Sequence, residues 1–515
     1  MTGAARRACC CAVLAAAVAV LAAAVSAART QVASPSRARA ASPSRDVLLT
    51  ANSRDGTVTF IDAHTFRVLG SLNVIPDGNT PRDPGQAAIY PTLVQREGVN
   101  YAQDMAISPD GQVLYVSRGY LGDVAAFSIA TGQMLWRRQV TSQRSDHVAL
   151  SPDGRLLFVS ALTTNQVQVI DTRTASFVGS FMTGDWPHVL GFSPDGRYIY
   201  NGSLGNQLLP SGADGRKQLT VADAHTFQVV RTYQFNAGVR PFVITPDGRI
   251  MFLQLSYFNG FIEYDLQTGQ TLATVNLPLS PEAQRMSPQS YPNQAAHHGI
   301  ALSPDGRYVC DAGTISNYVA LVSRPALSLA AIIPVGDDPG WAISSLDGRF
   351  CLVTSRGAHA NSVSVISYAE RKEVARIPVG LHPQFELEAP IPESVLRSAG
   401  LLGAGGAPGS GAGPGATSPP RRRPGPCAPQ RLTFALPRSH GRIVRVAVYV
   451  DGRRVLRRHG RRLTSVHIIR PARANFSLRI VAVTARHRRV VSRRRYTGCS
   501  VFVPGATRAV ERARR

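Results

Sequence analysis

Histidine, carboxylate and arginine recur at matched places along this chain: Asp104, Asp146-His147, His188, Arg240, His297-His298 and His382. Five of the twelve histidines belong to this series. Neutral imidazoles with a carboxylate make a ligand set for zinc and related divalent ions, so His147, His188 and His298 with Asp104 or Asp146 define one reading, a metal site. An imidazole beside a carboxylate, with an arginine to meet developing negative charge, is a hydrolytic set. His382 or His298 with Glu386, Glu388 or Asp104, and Arg240, defines this second reading. The spacing singles out no such set, and no nucleophile motif accompanies it. No Cys-x-x-Cys, haem-attachment motif, phosphate loop or helix-opening Gly-x-Gly-x-x-Gly is present.

These residues lie far apart in the chain, so something must gather them. The candidate is Ser-Pro-Asp-Gly, at 108–111, 151–154, 193–196 and 303–306, with degenerate copies Thr245-Pro246-Asp247-Gly248 and Ser345-Leu346-Asp347-Gly348. The steps are 43, 42, 52, 58 and 42 residues, the signature of a repeat architecture. Proline presets φ, aspartate caps its own backbone and glycine takes the left-handed position. An apolar run precedes each turn and three short strand-like runs follow, so each repeat reads as a four-stranded propeller blade. A blade cannot bury both faces alone, so the blades must close into a ring. Six full units begin near Asp104, His147, His188, Arg240, His298 and Trp341. Residues 46–74 read as only three strands, and the apolar run 385–389 lacks a blade of its own. Together they predict a seventh blade that joins both ends of the repeat region and removes an open edge.

Counted back from each turn, Gln103, Asp146, His188, Arg240, His298, Gly340 and Gln384 hold one register position at the inner strand. Asp104, His147, Val189, Pro241, Gly299, Trp341 and Phe385 hold the next. His297, His382, Trp186, Asp337 and Asp338 fall just outside. The long insertions, 76–103, 204–218 and 278–297, all fall on the rim where these inner strands begin. The predicted ligand or partner site is therefore this channel mouth, with Asp104, Asp146, His147, His188, Arg240, His297, His298, Trp341 and His382 lining it.

The motifs resemble the YVTN-type seven-bladed propellers of exported bacterial proteins and, more distantly, lactonase-type propellers and amine-dehydrogenase heavy chains. The likeness spans about residues 46–390 and implies fold more than task. It adds a third reading: Pro-His before an inner strand is common in YVTN-type repeats, where histidine fills the channel mouth and bonds backbone. Nitrous-oxide reductase propellers look similar in using hub histidines for copper, but that family needs more histidines than this chain supplies.

The ends of the chain differ in kind. Arg6-Arg7, an apolar run over 8–25 and Val25-Ser26-Ala27 read as a secretory signal peptide over 1–28, an uncleaved anchor being the competing reading. Residues 29–45 form a tether, 391–426 a Gly/Pro-rich linker and 504–515 a basic tail. The formal charge of +25 is almost wholly local: residues 421–515 hold 26 arginines, no lysine and two acids. Residues 427–503, with alternating Val444–Val450 and an Asp451-Gly452 turn, predict a small β-sandwich that resembles immunoglobulin-like modules. In an exported protein Cys427 and Cys499, which bracket it, are expected to pair. Cys310 and Cys351 lie in second strands of neighbouring blades and either pair or act as buried hydrophobes.

The expectation is thus an all-β, secreted, envelope-associated protein: a seven-bladed β-propeller closed by its N- and C-terminal strands, with a basic module. Its channel face presents a site to a small molecule or protein partner, and a binding scaffold without chemistry leads. An exported lactonase-like hydrolase or metal-dependent enzyme is the alternative. No cofactor is expected, a divalent metal on the histidines being the exception. The arginine-rich module would meet an anionic envelope polymer or membrane surface, not nucleic acid.

Overall fold

The computed structural model describes residues 43–206, 215–357, 361–402, 431–436, 442–461, 463–469 and 476–496. The expected signal peptide, the tether up to residue 42, the basic tail, Cys427 and Cys499 lie outside them.

Seven four-stranded antiparallel sheets form the propeller. Blade 1 runs Asp104–Ile107, Val113–Ser117, Asp123–Ser128 and Met134–Gln139 from hub to rim. Blades 2 to 6 repeat this order, with inner strands Ser145–Leu150, Pro187–Phe192, Val239–Ile244, Ile300–Leu302 and Pro339–Ser344. Each inner strand contacts the next, and the last contacts the first. Blade 7 is the composite: Pro383–Pro392 is its inner strand, followed by Ser44–Asn52, Thr57–Asp62 and Val68–Asn73. Val47 faces Ala389 and Leu49 faces Leu387 across the closing ladder. The closing strand is longer than the apolar run marked it, and residues 391–402, expected as linker, include the helix Glu393–Ser398. Val395 and Leu396 of that helix pack with Ile391 into the core between blades 7 and 1.

The turns explain the motif. In blade 2 the Ser151 hydroxyl donates to Asp153 at 2.6 Å and accepts from the Leu156 amide at 2.9 Å, while Gly154 takes φ +75°. The proline has a second task besides its φ. A Cβ on Gly154 would lie 2.6 Å from Pro109, and one on Gly196 would lie 2.9 Å from Pro152. In these two turns the glycine is seated against the proline of the preceding blade, and a side chain there would push the neighbouring blades apart.

The two open cysteines are settled: Cys310 and Cys351 form a disulfide between the second strands of blades 5 and 6. The insertion over 76–103 contains a helix, Pro84–Glu97, capped by Asp83 through the Gln86 amide. Gln86 in turn donates to the carbonyls of Tyr120 and Gln143, pinning the helix to blade 1 and the loop that follows it.

The described part of the C-terminal module has two sheets, Arg431–Ala435 with Ser465–Ile469, and Arg453–His459, Ile443–Val450, Phe476–Thr484 and Arg489–Tyr496 in spatial order. They share one core that includes Phe434, Val446, Val448, Val466, Phe476 and Ile480. The edge strand Arg453–His459 is almost wholly exposed and carries Arg453, Arg454, Arg457 and Arg458. No described helix is long and apolar enough to cross a membrane.

Candidate functional site at the channel mouth

The inner strands are irregular where the candidate residues sit. Pairing skips Asp146 and His147 in blade 2, His188 and Val189 in blade 3, Arg240 and Pro241 in blade 4, Gly340 in blade 6 and Gln384 in blade 7. A bulge re-aims the residues it contains, and here it turns them from the ladder toward the axis. Arg144, Asp146, His188, Arg240, His298 and Gln384, from blades 2, 3, 4, 5 and 7, line one cavity of about 50 Å³. That holds roughly three to five waters or one small ion.

Two imidazoles are fixed by carboxylates of the preceding blade. His147 Nδ1 lies 2.6 Å from Asp104 Oδ2, and His188 Nδ1 lies 2.7 Å from Asp146 Oδ2. His298 Nδ1 lies 2.7 Å from the Gly340 carbonyl. Each Nδ1 therefore carries the proton, and each Nε2 presents a lone pair. The Nε2 atoms of His188 and His298 face each other at 3.4 Å, acceptor to acceptor, and His147 Nε2 is buried without a partner among the described residues. His147 stacks on Trp341 with centroids 5.0 Å apart, and Trp341 also touches His298 and Phe385.

Burial pushes His188 down to about 3, against the opposing pull of Asp146. His298 is lowered by burial and then by Arg356. Both rings are neutral at ordinary pH. Burial alone would raise Asp146, but Arg144 at 3.0 Å and the His188 hydrogen bond outweigh it and hold the carboxylate ionised. Burial, then the charge of Arg356, pushes Arg240 down to about 9. Its guanidinium donates to Ser256 Oγ at 2.9 Å and to the Asn293 carbonyl, and pairs with no carboxylate among the described residues.

Other candidates lie elsewhere. His297 is turned away from the cavity to the seam between blades 4 and 5, where its ring meets Asp311 of blade 5 and, at 2.9 Å, Asn259 of blade 4. His382 is half-buried at the blade 7 seam, its Nδ1 3.0 Å from Ser53 Oγ. The hydrolytic set that paired His382 or His298 with Glu386, Glu388 or Asp104 does not assemble. Asp104 serves His147 instead. Glu386 faces Thr50 across the closing ladder, fully buried and unpartnered among the described residues, and burial raises its pKa well above 4.5. Glu388 accepts from the Leu346 amide at the opposite, turn-bearing end. Of the metal trio, His188 and His298 face each other. The three ligand atoms that lie within 4.8 Å of one another come from Asp146, His147 and His188, and that carboxylate is already engaged by Arg144.

Two arginines at the hub lie outside the register positions. Arg144 stands two residues before Asp146. Arg356 follows the second strand of blade 6 and reaches the hub because the register position there is Gly340. A Cβ on Gly340 would lie 2.5 Å from Arg356 Cδ. The signal was present in the sequence, since Ser355-Arg356-Gly357 repeats Ser117-Arg118-Gly119.

The fold and this hub define a seven-bladed β-propeller with an imidazole- and arginine-lined channel mouth. It is similar to lactonase-type propellers: residues 23–178 match the family model described as "Lactonase, 7-bladed beta-propeller". That stretch includes Asp104, Asp146 and His147. Among solved structures, a chain of Kuenenia stuttgartiensis hydrazine synthase is 22% identical, covering 63% of this chain and 92% of that chain with a TM-score of 0.47. No curated protein matches.

Proposed function

We propose that the protein is an exported binding propeller that holds one small molecule at the channel mouth. The observation that carries this reading is the cavity itself. Five blades each contribute a buried polar side chain to it, an arrangement that costs desolvation and gains nothing in packing over apolar filling. The disulfide between blades 5 and 6 suits an oxidising compartment. The exposed arginines of Arg453–His459 suit attachment to an anionic envelope surface.

A second reading, ring-opening hydrolysis, draws on the match to the lactonase model and on His188. Its ring lines the cavity, with Nε2 toward His298 and Nδ1 held by Asp146. In that reaction water loses a proton to His188 Nε2 as its oxygen bonds the acyl carbon. The ring C–O bond then breaks, and the leaving oxygen takes the proton back.

Thermal-shift screening of the full chain against small metabolites, beside a lactone-hydrolysis assay, tests both. A ligand whose binding weakens in His188→Ala, without turnover, supports the binding reading. Turnover lost in the same variant supports the second, and no ligand and no turnover would overturn both. Deleting residues 421–515 should release the protein from envelope fractions; retention would sink the attachment.

A further inference from the structure

Arg356 is the strongest unexplained group in the propeller, and its sibling shows why. Arg118 and Arg356 sit in the same tripeptide at the same place in blades 1 and 6, both with wholly buried side chains. Arg118 is saturated. Its Nε and one terminal nitrogen form a fork to Asp123 at 2.6 and 2.8 Å, and the other terminal nitrogen reaches Asp77 at 2.6 Å. Blade 6 lacks the first of these partners. Its third strand begins with Ser362 where that of blade 1 begins with Asp123. Arg356 keeps one acceptor, Asp338 Oδ1 at 3.2 Å from Nε, and both terminal nitrogens are buried with no partner among the described residues. A guanidinium carries five donors and keeps its charge, so bare terminal N–H groups in a buried site are costly unless something accepts from them.

The surroundings say what that would be. Gly340 leaves the blade 6 position of the hub empty, and Arg356 occupies it, over the residue whose carbonyl holds His298. Around the ring the order is then Arg240, His298, Arg356: two guanidiniums flanking a neutral imidazole. Arg240 pairs with no carboxylate among the described residues, and Arg356 with one, through Nε alone. We infer that Arg240 and Arg356 form an oxyanion clamp at the channel mouth, which takes a carboxylate or phosphate group of a small molecule. The inference rests on the channel-mouth binding reading and names its ligand class. Forked guanidinium donors match the paired oxygens of either group. A cation at the same point meets two arginines. The electrostatics agree, since Arg356 depresses Arg240, His298 and His382 after burial does.

The test uses inorganic phosphate and malonate as probes, titrated calorimetrically into the full chain at pH 7 against a sodium chloride control. At least one should bind the wild type, and Arg356→Gln should weaken it about 10- to 100-fold, the range for one charge-assisted contact pair. Phosphate binding alone identifies a phosphoryl ligand, and malonate binding alone a carboxylate. Gly340→Ala, which displaces Arg356 but keeps every charge, should weaken binding similarly and serves if Arg356→Gln does not fold. Failure of both anions to bind the wild type up to about 10 mM, or undiminished binding in both variants, overturns the clamp. A neutral ligand that binds wild type and Arg356→Gln equally would sink the clamp alone and leave the channel-mouth reading standing.

Discussion

Removing residues 383–402 should abolish cooperative folding of the propeller. The deleted stretch supplies the inner strand of blade 7 and the helix behind it. Without it, Ser44–Asn52 loses the antiparallel partner that runs its whole length and becomes an open, mostly buried edge. Ile391, Val395 and Leu396 leave the core they share with Val47, Leu49, Phe60, Met105 and Leu114. At about 1.5–3 kcal/mol for each fully buried aliphatic side chain, these three alone approach the whole net stability of an ordinary domain. Glu393 also goes, and with it the Arg45 contact at 3.4 Å and the backbone bond to Pro43. The expected result is aggregation through the bared edge and no single calorimetric transition. A truncated protein that stays monomeric and melts cooperatively within a few degrees of wild type would show that closure is dispensable.

That ring closure is legible in the sequence follows from what fixes it. The Ser-Pro-Asp-Gly turn sets where each second strand starts, and antiparallel pairing then sets the inner strand by simple counting. Asp146, His188, Arg240 and His298 could therefore be brought to one level from sequence alone. The count fails where a side chain reaches the hub from another element. Arg356 comes from the loop after a second strand and enters through a glycine, so its own position in the count is silent. His297 sits beside His298 but turns to the seam between blades 4 and 5, because Asp311 and Asn259 offer partners there. Glu386 shares the inner strand with Gln384 yet ends between blades 6 and 7, since the bulge at Gln384 re-aims that residue alone. Pattern gives the ring and its levels. Which atom faces the axis depends on bulges and on competing acceptors, and neither is written in the spacing.

Arg118→Ala should be the most destabilising single substitution in the two Ser-Arg-Gly sites, by about 3–5 kcal/mol, because it strands buried carboxylates rather than merely losing a contact. Asp123 is almost wholly buried, and burial already pushes its pKa above the ordinary value despite two arginines beside it. Asp77, more open, is held below its ordinary value by Arg118 after burial is overcome. Among the described residues, Asp123 would keep only Arg137, at 3.2 Å, and Asp77 would keep Arg137 at 3.0 Å and the exposed Arg82 at 3.4 Å. The pH dependence carries the diagnosis. With Arg118 gone, the folded pKa of Asp123 rises further, while the unfolded one stays ordinary. Above that ordinary value the unfolded chain has released a proton that the folded chain keeps, so stability falls as pH rises toward the new folded pKa. The deficit against wild type should therefore be small near pH 4 and widest near pH 8, read from denaturant melts across that range. Arg356→Gln, which strands only the partly exposed Asp338, should cost much less at every pH. Equal losses in the two variants, or an Arg118→Ala deficit that does not grow with pH, would mean that the two guanidiniums do the same job and that the contrast between them has no consequence for the channel.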